Sequence, residues 1–314
     1  GEITEISLCL PEEYSDGIEK KIDRLNTQVL LRGYCLEEFL SEKELMQKVK
    51  DNFRELVRAW IYKGVIIKRA YEKPLGYPGD YKMAEIIYDN TPVSKNIGVY
   101  LDAYFLKSPY AVAARMRKDH FNLLLRNHIA ETVLNRIPIL SFGCGPCREI
   151  RELLLDLKAK GTVVFTCLDG DPEPLNFSNE AISKITCKNV EFKFIEEGKI
   201  HILENQAYLQ PLGRQSLIYS VDSFDYLPDG DFKVMLYALY ELLQKDGKLI
   251  FSHANREKTF PPVPLDWFCD WQFIPRNKGE VVKLISACGI SGFSLSVDPD
   301  DFEYIHYFTL KKNK

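Results

Sequence analysis

Apolar runs of strand length recur at Ile137 to Phe142, Val163 to Leu168, Val190 to Ile195, Leu217 to Val221 and Leu249 to Ser252, with helical segments between most of them. No other feature restricts the fold as tightly. Strands that alternate with helices need crossover connections of one hand, and those connections generate a parallel sheet. The chain closes differently. Phe293 to Val297 and Tyr304 to Leu310 are separated by the short stretch at Asp298-Pro-Asp-Asp301, which is room for a hairpin and nothing longer. The expectation is an α/β fold with five parallel strands and a C-terminal antiparallel hairpin, seven strands in all.

Ahead of these strands, from about Pro11 to Ile129, the apolar period is helical. Ile18, Ile22, Leu25 and Val29 recur at steps of three and four, as do Phe53, Leu56, Val57 and Trp60. One long helical pattern runs from Asp51 to about Glu72 with Gly64 inside it. It stops before Pro74-Leu-Gly76-Tyr-Pro78-Gly79-Asp80-Tyr81, where two prolines and two glycines forbid regular helix. Further helices are expected around Met83 to Ile87, from Val99 to Phe105, and from Ser108-Pro109 onward. The domain reading is a helical cap and lid over residues 1–130 and a sheet domain over 131–314.

Composition narrows the class. With 46% hydrophobic and 27% charged residues the chain can form a full core. Its 41 basic and 45 acidic residues give a net charge of -4 without a long basic block, so a nucleic-acid surface is not expected. No apolar run approaches the roughly 20 residues that span a bilayer, and no secretory leader is evident, which makes a cytoplasmic location the default. The eight cysteines are scattered and read as reduced thiols. Because the chain begins with Gly1 instead of Met, a domain upstream of residue 1 is left open.

The first strand runs into Ser141-Phe-Gly143-Cys-Gly145-Pro-Cys147-Arg-Glu-Ile150, a strand, a tight glycine turn and a helix. In an α/β fold that turn is where an adenosine-containing ligand sits. A dinucleotide fingerprint wants small residues at its first, third and sixth positions, and the sixth from Gly143 is Arg148, too large for close helix packing. Small residues at the first, third and fifth positions are met by Gly143, Gly145 and Cys147. That spacing suits S-adenosylmethionine, which has no pyrophosphate to cradle. Cys144 and Cys147 lack the second ligand pair that a zinc site needs, so the pair is assigned to turn architecture and no metal is expected.

The second strand ends in Leu168-Asp169-Gly170-Asp171-Pro172, putting a carboxylate at the strand's carboxyl end. Ribose hydroxyls are donors and Asp169 is the expected acceptor, with Asp171 capping the next helix. The fourth strand leads into Ser220-Val-Asp222-Ser-Phe-Asp-Tyr226-Leu, at the crevice where strand order reverses. Here Tyr219, Asp222 and Tyr226 are candidates to face a sulfonium cation and an acceptor, while Phe224 and Leu227 read as core.

Together these stretches, with Gly76-Tyr-Pro-Gly-Asp-Tyr81 and Asp266-Trp-Phe-Cys-Asp-Trp271, resemble class I S-adenosylmethionine-dependent methyltransferases over roughly residues 50 to 310. More narrowly they look like the bacterial group associated with 3-hydroxypalmitic acid methyl ester biosynthesis. The resemblance implies a Rossmann-like methyltransferase sheet with a helical N-terminal cap, S-adenosylmethionine as cofactor, and a small-molecule acceptor. Carboxylate O-methylation of a hydroxy fatty acid type is the first reading. Ser141 departs from the acidic residue that most class members carry, so the methionine amino group must be contacted differently.

On this reading the cofactor residues are Ser141, Gly143, Cys144, Gly145, Asp169, Gly170, Ser220, Val221 and Arg115. The acceptor side is assigned to Tyr77, Asp80, Asp222, Tyr226, Trp267 and Trp271. A carboxylate acceptor needs no base; for a hydroxyl or amine, Tyr77 or His253 would supply one. Each has an alternative: Asp80 as a helix cap, His253 as a structural residue, Trp267 and Trp271 as paired core aromatics, Arg115 and Arg117 as a solvated helix face. Other acceptors, a nicotinamide-dependent oxidoreductase and a non-catalytic S-adenosylmethionine-binding regulator remain open, as does the oligomeric state.

Overall fold

The computed structural model describes residues 14–259 and 263–313. Cys9 and the start of the helical pattern at Pro11 lie outside the described residues. The chain divides into two compact units, Gly1–Ala114 with Thr259–Gln272, and Arg115–Lys258 with Phe273–Lys314. Sequence reading set the boundary at 130/131, whereas the division falls inside a helix. Phe121 on that helix packs its ring against Tyr219 at 5.4 Å and Tyr307 at 6.0 Å, so its C-terminal part belongs with the sheet.

The first unit contains α1 (Asp16–Phe39), α2 (Lys43–Ile61), α3 (Val65–Glu72), α4 (Tyr81–Asp89), α5 (Gly98–Leu106) and the start of α6 (Pro109–Glu131). The continuous helix expected from Asp51 to Glu72 is broken in two at Tyr62–Gly64. Lys63 and Gly64 donate their amides to Trp60 and Ile61 as a turn, and a Cβ on Gly64 would stand 3.0 Å from Leu101. The buried Asp102 carboxylate then starts α3 by accepting the Ile66 amide, and its other oxygen accepts those of Val93 and Ser94. A remote side chain satisfies the orphan amides that a continuous helix would not have had.

Residues 259–272 return to this unit and complete its interior. Trp267 packs on Gly33 and Phe53 and donates Nε1–H to Glu37 at 2.8 Å; Trp271 lies flat against Gly79, where a Cβ would be 2.6 Å from the ring. Lys50 pairs with Glu37 and Asp266, Arg54 donates to the Asp266 carbonyl, and Lys73 pairs with Asp270. Lys50 and Arg54 are buried; Glu37 and Asp266 supply the counter-charge for Lys50, and Asp51, 2.5 Å from Nη2, supplies it for Arg54.

The second unit is built on a seven-stranded sheet of order β3-β2-β1-β4-β5-β7-β6. Its strands are β1 (Arg136–Phe142), β2 (Thr162–Asp169), β3 (Val190–Glu196), β4 (Gln215–Ser220), β5 (Leu243–Ala254), β6 (Phe293–Pro299) and β7 (Ile305–Lys312). The first five are parallel, and the terminal hairpin runs antiparallel with β7 beside β5. After β1 comes α7 (Arg148–Leu154), followed by α8 (Pro172–Ser183), α9 (Lys199–Glu204), α10 (Asp229–Glu241) and α11 (Arg256–Thr259). The returning segment carries α12 (Val263–Cys269), and α13 (Lys278–Ser286) precedes the hairpin. One sheet face buries Leu140, Phe142, Ile218, Phe251 and Phe308 against α10 and α13.

β1 is the pivot of this arrangement. It pairs with β2 on one side and β4 on the other, so the strand order reverses at its carboxyl end. The loops after β1, β2 and β4 therefore open along one edge, the place an α/β sheet offers a ligand.

Candidate functional site

The turn after β1 has Gly143 at φ +63, Gly145 at φ +51 and Cys147 at φ +49, three left-handed residues at alternate positions. Glycine is required at Gly143 on two counts, since an added Cβ would also fall 1.9 Å from Ser223 Oγ. At Gly145 a Cβ would meet nothing within 4 Å, so the chain leaves open space over that residue. The amides of Gly143 and Cys144 donate to the Leu168 carbonyl at 2.9 and 3.1 Å, which fastens the turn to β2. Cys144, Cys147 and Cys167 are buried free thiols, and burial pushes the Cys144 thiol well up from its ordinary value. They pack as turn architecture; among the described residues no group of His, Cys, Asp and Glu is placed to hold a metal.

Asp169 ends β2. One carboxylate oxygen accepts the Gly145 amide at 2.9 Å and the other accepts the Asp171 amide at 3.1 Å. Burial raises its pKa while those two amides pull it down. Each oxygen keeps a second lone pair for a hydroxyl donor. Asp171 caps α8 through the Glu173 amide, as its sequence position suggested.

Beneath the turn lies a pair whose acid sequence reasoning missed and whose phenol it misplaced: Tyr219, expected to face a sulfonium, is fully buried. Glu149, in the first turn of α7, is 3% exposed and accepts the Tyr219 hydroxyl at 2.7 Å. Burial drives its carboxyl from 4.5 up to about 8, with the neighbouring Cys147 adding to the shift and the Tyr219 hydrogen bond opposing it. At neutral pH Glu149 is a neutral acid inside the sheet domain.

The β4 loop carries two carboxylates with different fates. Asp225 is buried and central: Arg117 Nη2 donates to it at 2.5 Å, the Ala254 amide at 2.8 Å, and His253 Nδ1 stands 3.3 Å away. Asp222 is partly accessible. Burial pushes its carboxyl up to about 6 against the pull of Arg117, with Asp225 and Asp169 adding to the rise. Sequence analysis singled out Asp222 and passed over Asp225, whose partner lies 108 residues away.

Several sequence-assigned residues stand elsewhere. His253 is not at a crevice rim: it is 1% exposed, its Nδ1 lies 3.0 Å from the Ala254 carbonyl, and Arg276 Nη1 stands 3.1 Å from Nε2. Burial lowers its pKa, and a neutral ring with both nitrogens engaged is a strut, not a base. Asp80 is fully buried, accepts Arg69 at 3.0 and 2.6 Å and caps α4 through the Met83 amide, so the fold uses it completely. Trp267 and Trp271 are core residues of the first unit. Tyr77 is 38% exposed in that unit. In the second unit Tyr226 and Arg115 are half-buried, with burial lowering the Arg115 pKa, and Gly170 is exposed beside Gly198. Val221 offers its carbonyl to Ser252. The Ser141 and Ser220 hydroxyls, at the ends of β1 and β4, are buried without a hydrogen-bond partner.

No family model matches the chain, and no curated protein matches it in sequence. Solved structures do. A protein of Bordetella parapertussis described as a possible exported protein is 16% identical with a TM-score of 0.56, over 75% of this chain and 80% of that one. The magnesium protoporphyrin IX methyltransferase of Synechocystis PCC 6803, with bound SAH, is 16% identical with a TM-score of 0.52, over 79% of this chain and 99% of that one. The CurJ carbon methyltransferase is 12% identical with a TM-score of 0.52, over 86% and 71%. What is shared at such identities is the fold. The chain has the seven-stranded methyltransferase sheet with its antiparallel C-terminal hairpin. Among the described residues no helix is long and apolar enough to cross a membrane.

Proposed function

We propose that the second unit binds S-adenosylmethionine along the edge formed by the β1, β2 and β4 loops, and that the chain transfers its methyl group to a small-molecule acceptor. The observation that carries this reading is the glycine turn. Its left-handed residues bring backbone to an open surface at Gly145, and the Asp169 carboxylate that ties the turn down keeps lone pairs for a ribose. The unpartnered Ser220 hydroxyl at the end of β4 fits a polar ligand at the same edge. Arg148, at the position a dinucleotide fingerprint reserves for a small residue, is instead ion-paired with Glu152 at 2.8 Å, which speaks against the nicotinamide alternative.

S-adenosylmethionine, when bound, would supply an activated methyl for direct attack by an acceptor heteroatom, with S-adenosylhomocysteine as the leaving group. The protein's part is alignment, and positioning alone can contribute about 7 to 11 kcal/mol. Gly143, Cys144 and Gly145 present backbone to the methionine portion, Asp169 and Gly170 hold the ribose, Ser220 and Val221 border the transferred group, and Arg115 is the cation for the methionine carboxylate. A carboxylate acceptor, as the hydroxy fatty acid resemblance suggests, is ionised at neutral pH and needs no base. That choice agrees with a His253 locked away from any ligand.

The test is incubation with methyl-labelled S-adenosylmethionine and a bacterial metabolite extract, followed by mass spectrometry. A labelled methyl ester supports the full reading. A labelled amine or phenol keeps the methyltransferase and replaces the acceptor, and a titration that finds NAD bound and S-adenosylmethionine ignored overturns both.

A further inference from the structure

Where β7 begins, a phenol is buried that neither the fold nor the cofactor reading uses. Tyr307 lies opposite Ser252 of β5 on one side and Asp298 of β6 on the other. It is 2% exposed, and its hydroxyl has no hydrogen-bond partner. The ring itself is clamped: His120 of α6 stacks on it with centroids 3.6 Å apart, and Phe121 meets it edge-on at 6.0 Å. A second orphan stands on the same face. Asp300 directly follows β6, and side chains two apart along a strand share a face, so Asp300 continues the side on which Asp298 meets Tyr307. Its Oδ1 closes the hairpin by accepting the Phe302 and Tyr304 amides at 3.1 and 2.8 Å, whereas Oδ2 is buried without a partner. The Asp300 charge is felt by both Tyr307 and His120. Buried polar atoms left unpaired are costly, and a ligand that pairs with both recovers that cost.

The two orphans together decide what fits. The phenol has a proton to give and needs an acceptor, while the carboxylate oxygen needs a donor. A carboxylate has no proton for Asp300 and an ammonium has no lone pair for Tyr307; a hydroxyl has both. The surrounding charge also disfavours an anion. Asp119, Asp298, Asp300 and Asp301 act on Tyr307 or His120, and the nearby Arg117 is ion-paired with Asp225 at 2.5 Å. Ser252, beside Tyr307, donates to the Val221 carbonyl just past β4, so the phenol stands along the same sheet edge as the cofactor loops. It is two strands away from β4, about 10 Å at ordinary strand spacing. Resting on the methyltransferase reading above, in which Val221 borders the transferred group, we propose that Tyr307 and Asp300 form an acceptor subsite that binds a free hydroxyl remote from the atom to be methylated. The alcohol held there selects the acceptor and takes no part in the displacement.

The test incubates a bacterial metabolite extract and methyl-labelled S-adenosylmethionine with the unaltered protein, with Tyr307→Phe and with Asp300→Asn. Tandem mass spectrometry then gives the structure of each labelled product. The product of the unaltered protein should carry a free hydroxyl as well as the new methyl group. Tyr307→Phe should form it about tenfold more slowly or worse, since the lost hydrogen bond is made only to the acceptor. Asp300→Asn should do the same, because the amide keeps Oδ1 for the hairpin and puts a donor where the acceptor stood. Calorimetric affinity for S-adenosylmethionine and the thermal unfolding midpoint of Tyr307→Phe should be unchanged, as an unpartnered hydroxyl adds nothing to the empty fold. A labelled product without a free hydroxyl overturns the proposal. Equal rates for the three proteins overturn it too, leaving a resident water as the phenol's partner, and a lowered unfolding midpoint would make the hydroxyl a strut of the fold. If the unaltered protein labels nothing, the methyltransferase reading itself is what fails, and the subsite falls with it.

Discussion

Replacing Glu149 by glutamine should make the sheet domain more resistant to unfolding at alkaline pH, and the size of the effect follows from where the carboxyl sits. The folded carboxyl titrates at about 8 and an unfolded one at 4.5. The native state therefore holds a proton that the unfolded state has released anywhere between those values. Stability from this group is complete below 4.5, declines by about 1.4 kcal/mol per pH unit as the pH rises, and is gone above about 8. The span corresponds to a ceiling of about 5 kcal/mol, lowered by whatever water the ionised form admits. A glutamine side chain can still accept the Tyr219 hydroxyl through its carbonyl oxygen and cannot ionise. The assay is urea unfolding of both proteins at several pH values from about 5 to about 9, followed by far-ultraviolet circular dichroism. Tryptophan fluorescence serves as an internal control, since Trp60, Trp267 and Trp271 all belong to the first unit. The difference between the two proteins should grow steadily through neutrality and level off above about pH 8. Parallel pH profiles would refute the reasoning, because they would mean that Glu149 is ionised in the native state.

Three other outcomes follow. Gly143→Ala places a methyl on a left-handed residue and against Ser223 Oγ, so it should cost roughly 1 to 3 kcal/mol by thermal unfolding, partly relieved in combination with Ser223→Gly. Arg117→Met leaves Asp225 buried without its charge partner and should cost about 3 to 5 kcal/mol; the same unfolding assay reads it, and a change under about 1 kcal/mol would deny the pair its structural role. Asp169→Ala removes the acceptor of the Gly145 amide along with the ribose contact, and cofactor affinity measured by calorimetry should fall markedly; an unchanged affinity would remove Asp169 from the site.

The sheet was legible because burial on both faces writes a strand such as β1 or β2 as a continuous apolar run that little else could produce. The terminal hairpin was legible from the shortness of its loop. The helices were less so. Nothing in the periodicity of Asp51 to Glu72 shows that Asp102, far along the chain, would supply a cap and divide it at Gly64. The site divides in the same way. Gly143, Gly145 and Asp169 announce themselves because backbone geometry and strand ends are local. His253 and Asp80 were misassigned because their availability depends on Arg276 and Arg69, partners that only the folded chain brings up. Glu149 and Asp225 were passed over for the same reason, being ordinary acids until they are buried.

The return of residues 259–272 to the first unit has a temporal side. A ribosome releases the chain from its N-terminus, and domains ordinarily fold as they emerge. Here α1 to α5 leave the exit tunnel with Lys50 and Arg54 lacking Asp266, and with the seats on Gly33 and Gly79 empty of their indoles. The unit that is synthesised first must wait for most of the polypeptide before it can close. A nascent chain arrested before Asp266 has emerged should accordingly hold an N-terminal region still open to proteases or to a chaperone.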